Sequence, residues 1–177
     1  LIAAAMDDFL ADDVQPEVVF APGDRSSISQ VVTTDQAVIV NVLDNVVARF
    51  VRFVYADGQW QSQPLEAPAM GALRIVTSDD QTDRFFFNYT GFLTPSSLYE
   101  ADAMANTHAK VRSEPSWFDS EGMAVSQYEA TSADGERIPY FVVKPKGFSE
   151  DVAYPTLLSA YGGFEISRTP FYSGIMG

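Results

Sequence analysis

Residues 28–65, ISQVVTTDQAVIVNVLDNVVARFVRFVYADGQWQSQPL, decide the fold of this 177-residue chain. They contain four short runs rich in β-branched and aromatic residues, at 28–33, 37–43, 48–55 and 60–65. Turn residues separate the runs, for example Asp44-Asn45 and Ala56-Asp57-Gly58. Short runs of this composition joined by tight turns are typical of antiparallel strands. The stretch therefore predicts a meander of four strands.

A second set of four runs follows, at 73–77, 84–89, 97–102 and 109–113. The offset between the two sets, about 40 to 45 residues, matches the repeat of β-propeller blades. An antiparallel sandwich has a similar strand density, so periodicity alone leaves both architectures open. In the second set Phe85, Phe87 and Tyr89 alternate along one run, which predicts that they point into a core. Before the first set, residues 1–11 predict one short helix and residues 18–20 a short strand.

The pattern changes at residues 114–122, EPSWFDSEG, where alternation ends and turn formers gather. We expect a domain boundary there. Beyond it, runs at 124–131 and 138–144 flank the loop Ser132-Ala-Asp-Gly-Glu136, which predicts a hairpin. Residues 156–160 are apolar without alternation and predict a strand covered on both faces, as at the start of an α/β domain with a mixed sheet.

The tetrapeptide Tyr161-Gly162-Gly163-Phe164 follows that predicted strand directly. Two glycines let the backbone turn sharply and approach a ligand closely. A phenol hydroxyl donates a hydrogen bond while it is neutral, so it could stabilise the oxyanion that forms during acyl transfer. As a bare tetrapeptide, the same residues also fit a packed aromatic ring beside a glycine turn.

Longer stretches around this loop resemble the prolyl oligopeptidase family of serine peptidases. They are residues 128–143 (YEATSADGERIPYFVV), 155–158 (PTLL), 161–170 (YGGFEISRTP), 42–46 (VLDNV) and 91–95 (GFLTP). The resemblance implies a mostly β fold of antiparallel four-stranded propeller blades followed by the first strands of an α/β-hydrolase domain. It assigns residues 1–118 to the C-terminal part of the propeller. Residues 119–177 are then the linker and the N-terminal strands of the peptidase domain.

The resemblance also implies roles for the loop. Tyr161 matches the tyrosine that completes the oxyanion hole, Phe164 matches an aromatic residue that lines the pocket for the substrate proline ring, and Gly162 and Gly163 match the glycines that shape the loop. Related oligopeptidases that cleave after basic residues have Tyr-Gly-Ser-Tyr here, so Gly163 and Phe164 favour the prolyl branch. The intact enzyme would hydrolyse short peptides after proline through an acyl-enzyme, without a cofactor.

The family's serine, aspartate and histidine all follow the tyrosine loop, and the chain reaches Gly177 without a Gly-x-Ser-x-Gly turn. His108 precedes the loop, and we expect it on the surface or on an edge strand of the propeller. Leu1 to Met6 are apolar, but acidic residues follow them, which does not fit a secretory signal. We therefore expect an interior segment of a longer chain, inactive alone, whose partners are a short peptide substrate and the remainder of the hydrolase domain.

Composition narrows the other classes of partner. The net charge is −13 with 11 Lys and Arg residues, which excludes the basic surface that nucleic acid requires. Cysteine is absent, so disulfides and thiolate metal sites are excluded and the compartment stays open. Asp79, Asp80 and Asp83 lack the spacing of a calcium loop and predict a solvated turn, so we expect no metal site. No apolar run approaches about 20 residues, so we expect no membrane partner.

Two alternatives remain open at this stage. The chain could belong to a non-catalytic β-rich interaction module that keeps hydrolase-like strands. It could also belong to a relative that acts as an acylaminoacyl-type peptidase or an esterase. A Gly-x-Ser-x-Gly turn in the reading frame beyond Gly177 would favour the enzyme over the module.

Overall fold

The computed structural model describes residues 1–164 and 166–177. One short helix, α1, spans Met6–Leu10. The strands are β1 (Ile2–Ala3), β2 (Glu17–Val18), β3 (Ser26–Thr33), β4 (Val38–Asp44), β5 (Val47–Ala56), β6 (Gln59–Pro64), β7 (Ala72–Ser78), β8 (Arg84–Thr90), β9 (Ser97–Asp102), β10 (Thr107–Ser113), β11 (Ala124–Thr131) and β12 (Arg137–Lys144). The short helix and the two predicted sets of four strands are confirmed, and the short strand predicted at 18–20 lies slightly earlier, as β2.

Two four-stranded antiparallel sheets form the larger part of the structure. Sheet I has the order β3-β4-β5-β6 and sheet II the order β7-β8-β9-β10, so each strand pairs with its neighbour in sequence. The first strand of each sheet has an irregular register, between Ile28 and Gln30 in β3 and between Ile75 and Thr77 in β7. The two sheets therefore share one plan, as the repeated sequence pattern predicts.

Alternation decides which side chains enter the core. In β8 the rings of Phe85, Phe87 and Tyr89 are buried, whereas Arg84 is exposed on the other face. This confirms the alternation predicted for the three consecutive phenylalanines. Burial raises the pKa of the Tyr89 hydroxyl above its ordinary value.

The larger of two buried hydrophobic clusters lies between the two sheets. Ile39 and Phe50 of sheet I pack in one cluster with Ile75, Phe85 and Phe87 of sheet II. The Phe50 ring centre lies 5.7 Å from that of Phe85 and 5.2 Å from that of Phe87, both in edge-to-face geometry. Since aromatic rings pack favourably at such distances, this cluster holds the sheets together.

Polar side chains also join the sheets. Gln30 accepts a hydrogen bond from the Ile75 amide at 2.8 Å and donates one to the Ile75 carbonyl at 3.1 Å. Asn41, fully buried, donates to the Leu73 carbonyl at 2.8 Å. These amide side chains of sheet I therefore satisfy backbone groups of the edge strand β7 at Leu73 and Ile75.

The acidic turn before β8 also contacts sheet I. Asp83 accepts hydrogen bonds from the Thr34 hydroxyl at 2.9 Å and from the backbone and side chain of Gln36 at 2.9 and 2.7 Å. Asp79 and Asp80 accept hydrogen bonds from Gln81 within their own turn. Two of the three acids therefore form the predicted turn, and the third links the sheets.

Beyond the sheets, β11 and β12 form the predicted antiparallel hairpin, with residue pairs from Ala124 with Lys144 to Thr131 with Arg137. The strand predicted at residues 156–160 is wrong: these residues form no strand. Leu157 and Leu158 are 76% and 89% exposed. A buried strand needs a neighbour on each side, and none of the described strands pairs with this segment.

Candidate active-site loop

The loop of Tyr161, Gly162, Gly163 and Phe164 follows this unpaired segment. Its first aromatic ring is half exposed, with 48% of Tyr161 accessible. Phe164 has a positive φ of 53° and is 92% exposed. The loop therefore presents both aromatic side chains to solvent.

Gly163 lies beneath the tyrosine ring. A Cβ atom at Gly163 would lie 3.3 Å from the Tyr161 hydroxyl oxygen and 3.4 Å from its Cζ atom, which is closer than most real contacts of a Cβ atom. At Gly162 the space is open, with nothing within 4 Å of the corresponding position. A side chain would therefore crowd the Tyr161 phenol at Gly163 but would meet nothing at Gly162.

The structure brings together only part of the predicted site. Tyr161 and Gly163 are in contact, and the Ile166 amide donates to the Gly163 carbonyl at 3.2 Å. Phe164, predicted to line a pocket for proline, stands in solvent in the described part of the chain. Two surface depressions, of about 800 and 290 Å³, are lined by residues outside the loop.

His108 lies away from this loop in sequence and belongs to sheet II. It is on β10, an edge strand, where its ring centre lies 5.7 Å from that of Tyr99 and 6.2 Å from that of Phe87. The prediction of an edge-strand histidine is confirmed. Among residues 1–164 and 166–177, no group of three or more His, Asp or Glu side chains is placed to hold a metal ion. No helix within those ranges is both long and apolar enough to cross a membrane.

The chain after the loop is anchored by residues that sequence reasoning did not single out. The Tyr172 hydroxyl accepts a hydrogen bond from the Trp117 amide at 2.7 Å, and its ring stacks on Phe118 at 5.0 Å. The Tyr172 amide donates to the Thr90 hydroxyl at 3.3 Å. Both the boundary segment and sheet II therefore fix the chain downstream of Tyr161. The aromatic pair Trp117-Phe118 in the boundary segment was the available signal.

The hairpin upstream of the loop has a well-defined turn. Asp134 accepts hydrogen bonds from the Ser132 hydroxyl and from the Glu136 amide, the latter at 3.3 Å. These bonds, that from Ser132 first, hold the pKa of Asp134 below its ordinary value. Phe141 of β12 lies 5.3 Å from Phe92, which belongs to the loop after β8. The hairpin thus packs against sheet II while it leads toward the candidate loop.

Sequence similarity to known proteins covers all these elements. An uncharacterized peptidase of Sinorhizobium fredii is 37% identical over 179 residues, which cover 100% of this chain and 25% of that protein. The prolyl endopeptidase of Elizabethkingia meningoseptica is 30% identical over 109 residues, covering 62% of this chain and 16% of that protein. The chain spans 25% of the length of the first curated relatives it matches.

The structural comparison agrees with this similarity. The solved structure of a post-proline cleaving enzyme from Rickettsia typhi superposes with a TM-score of 0.75 at 30% identity, over 97% of this chain and 25% of that chain. A family model described as prolyl oligopeptidase, N-terminal β-propeller domain, matches residues 1–114. This range contains both four-stranded sheets, which are blades of that propeller and not the two halves of a sandwich. The chain belongs to the prolyl oligopeptidase family.

Proposed function

We propose that this chain is part of a serine oligopeptidase that hydrolyses short peptides after proline through an acyl-enzyme. In this proposal Tyr161 donates a hydrogen bond to the oxyanion, Gly162 and Gly163 shape the loop, and Phe164 contacts the substrate proline ring. The nucleophilic serine, the histidine and the aspartate would lie in the part of the relatives' length that this chain does not span.

The observation that carries the proposal is the similarity of the whole chain, loop included, to a peptidase. The 37% identity to the Sinorhizobium relative extends over 100% of the chain. Two further relatives are described as a prolyl endopeptidase and a post-proline cleaving enzyme. The proposed specificity for proline follows their descriptions and the Gly163-Phe164 pair.

The geometry of the loop is compatible with the proposed chemistry. Acyl transfer places negative charge on the former carbonyl oxygen, and a fixed donor at that position lowers the barrier by about 3 to 4 kcal/mol. Tyr161 is 48% exposed, and a Cβ atom at Gly163 would lie 3.3 Å from its hydroxyl oxygen. A side chain at position 163 would shift the Tyr161 ring by a few tenths of an ångström, so we propose that this glycine leaves room for the hydroxyl.

The proposal includes a domain boundary after residue 118. The last strand of sheet II ends at Ser113, and the family model of the propeller ends at residue 114. The next strand begins at Ala124 and pairs only within its own hairpin in the described structure. Residues 1–118 would then close the propeller, and residues 119–177 would begin the peptidase domain.

Replacing Tyr161 by phenylalanine in the full-length enzyme tests the oxyanion role. We expect kcat for a proline-containing peptide to fall about 100-fold or more, because one hydrogen bond to the transition state is lost. Tyr140→Phe is the matched control, since Tyr140 is 43% exposed, close to the 48% of Tyr161, and lies in β12. An unchanged kcat in Tyr161→Phe, or an equal loss in Tyr140→Phe, contradicts the role.

A panel of peptides that differ only in the residue before the cleaved bond tests the substrate class. We expect a preference for proline over alanine and lysine, and we expect Phe164→Ala to raise KM for the proline peptide more than for the alanine peptide. Equal rates for all peptides would contradict cleavage after proline. Hydrolysis of acylated amino acids or simple esters in preference to proline peptides would contradict it as well.

A further inference from the structure

The hairpin β11–β12 contacts the two propeller sheets at two places that differ in chemistry. The contact with sheet I is charged. Glu129 of β11 receives the Arg25 guanidinium at 2.5 Å and the Arg137 guanidinium at 3.2 Å, and Arg25 also donates to the Arg137 carbonyl at 3.0 Å. Arg25 lies just before β3, and Arg137 begins β12. We call Arg25, Glu129 and Arg137 the clamp.

A turn of sheet I lies beside the clamp. Asn45 and Val46, between β4 and β5, have positive φ angles of 47° and 68°. Positive φ at both central residues is the geometry of the type I′ turn, which joins antiparallel strands such as β4 and β5, although a β-branched residue adopts it rarely. The Asn45 carbonyl accepts a hydrogen bond from the Gln127 side chain of β11 at 2.6 Å, and the Asn45 amide donates to the Arg25 carbonyl at 3.1 Å. The hairpin thus helps to hold this turn.

The contact is not closely packed. A surface depression of about 290 Å³ lies between the turn and the hairpin, lined by Arg25, Asn45, Val46, Arg137 and Pro139 among others. Because the depression is open at the surface, solvent and ions reach this contact. The exposed fractions of the clamp side chains, 29% for Arg25, 36% for Glu129 and 62% for Arg137, agree with this.

The contact with sheet II is aromatic. Phe92, in the loop after β8, lies 5.3 Å from Phe141 of β12 and 6.5 Å from Phe171. No ion pair takes part in this group of rings among the described residues. The contact between Phe92 and Phe141 joins two uncharged rings and is not weakened by salt, whereas the Phe171 ring also lies 5.6 Å from the Arg168 guanidinium. We call Phe92, Phe141 and Phe171 the aromatic seat.

We propose that the hairpin β11–β12 is a hinged element, in which loss of the charged clamp releases its turn end from sheet I while the aromatic seat, through Phe141, keeps the middle of the hairpin on sheet II. Two guanidinium groups share one carboxylate, so the clamp depends on the charge of Glu129. Partly exposed ion pairs are screened as ionic strength rises. This inference does not depend on peptidase activity.

Distance measurements between spin labels test the hinge directly in the 177-residue chain, which has no cysteine of its own. Labelled cysteines at positions 61 and 133 measure the distance from the outer strand of sheet I to the hairpin turn. Labelled cysteines at positions 110 and 143 measure the distance from sheet II to the hairpin base. Gln61, Ala133, Lys110 and Val143 are all exposed. Between about 0.1 M and about 1 M NaCl the Debye length falls from about 10 to about 3 Å. We expect the population with a lengthened 61–133 distance to rise about fivefold, and the 110–143 distance to stay unchanged.

Substitution of the clamp provides the second measurement. Glu129→Gln is expected to produce the same fivefold rise at low salt and to abolish the further effect of salt. Glu100→Gln is the matched control, because Glu100 is 38% exposed and pairs with Arg84 at 3.3 Å within sheet II. It should leave the 61–133 distance unchanged.

Three results would overturn the hinge. The first is a 61–133 distance that responds to neither salt nor Glu129→Gln. The second is a 110–143 distance that lengthens together with it, which would mean that the aromatic seat does not hold. The third is an equal response in Glu100→Gln, which would assign the effect to overall charge. The salt titration of the labelled chain decides the matter even if Glu129→Gln fails to fold.

Discussion

Truncating Phe87 to alanine tests whether the aromatic cluster between sheets I and II determines the stability of the two blades. Phe87 is 0% exposed, and its ring lies 5.1 Å from Tyr99 in a stacked pair and 5.2 Å from Phe50 in an edge-to-face pair. Full burial of a phenylalanine side chain contributes about 3 kcal/mol. The lost ring contacts and the cavity add about 1 kcal/mol or more. We expect the free energy of unfolding to fall by about 4 kcal/mol.

Urea denaturation of the chain measures this loss. Phe86→Ala is the control, since Phe86 is the next residue of β8 and lies on the opposite, partly exposed face. We expect it to cost less than about 1.5 kcal/mol. A double-mutant cycle with Phe50→Ala should give a coupling of about 0.5 to 1.5 kcal/mol, because the pair joins the two sheets. Equal losses in Phe86→Ala and Phe87→Ala, or a coupling near zero, would refute this description of the core.

Two further perturbations test local geometry. Gly71→Ala should lower the free energy of unfolding by about 1 to 3 kcal/mol, because a Cβ atom there would clash with the Tyr89 ring. Gly162→Ala places its Cβ atom in open space and should change the urea midpoint little. A larger loss of stability in Gly162→Ala than in Gly71→Ala would contradict both assignments. The Ser132 hydroxyl lowers the pKa of Asp134 below 3.8, so this bond stabilises the turn fully above pH 3.8 and is lost as the pH falls through the lower, folded-state pKa. An NMR titration of the Asp134 carboxyl measures that pKa; Ser132→Ala should raise it, and a midpoint at or above 3.8 in the unsubstituted chain would show that the bond is absent.

Local pattern was sufficient to predict the strands that pair with sequence neighbours. Each strand of sheets I and II, and each strand of the hairpin, pairs with the strand before or after it, so alternation and turn residues contained the necessary information. The segment 156–160 differs because its strand character depends on partners elsewhere. The apolar composition of the segment does not show whether other strands pair with it.

Long-range polar contacts were the other part that the sequence could not predict. Arg25 and Glu129 are 104 residues apart, and Gln30 and Ile75 are 45 apart. Nothing in the local pattern marks Gln30 as a substitute for strand hydrogen bonds, or Arg25 as a partner of the hairpin. The Tyr161 loop was identified from its resemblance to a family, and its contact with Gly163 required coordinates.

The outer strands of the two sheets affect the tendency of this protein to aggregate at high concentration. β6 and β10 each pair on one side only in the part of the chain that the structure describes, so each offers unpaired backbone groups to another molecule. β6 ends in Pro64, which has no amide hydrogen to donate, and β10 exposes Lys110 and Arg112. A strand from a second copy would find no amide donor at Pro64 if it paired with β6, and it would face two positive charges if it paired with β10. The blades therefore resist edge-to-edge aggregation at β6 and β10.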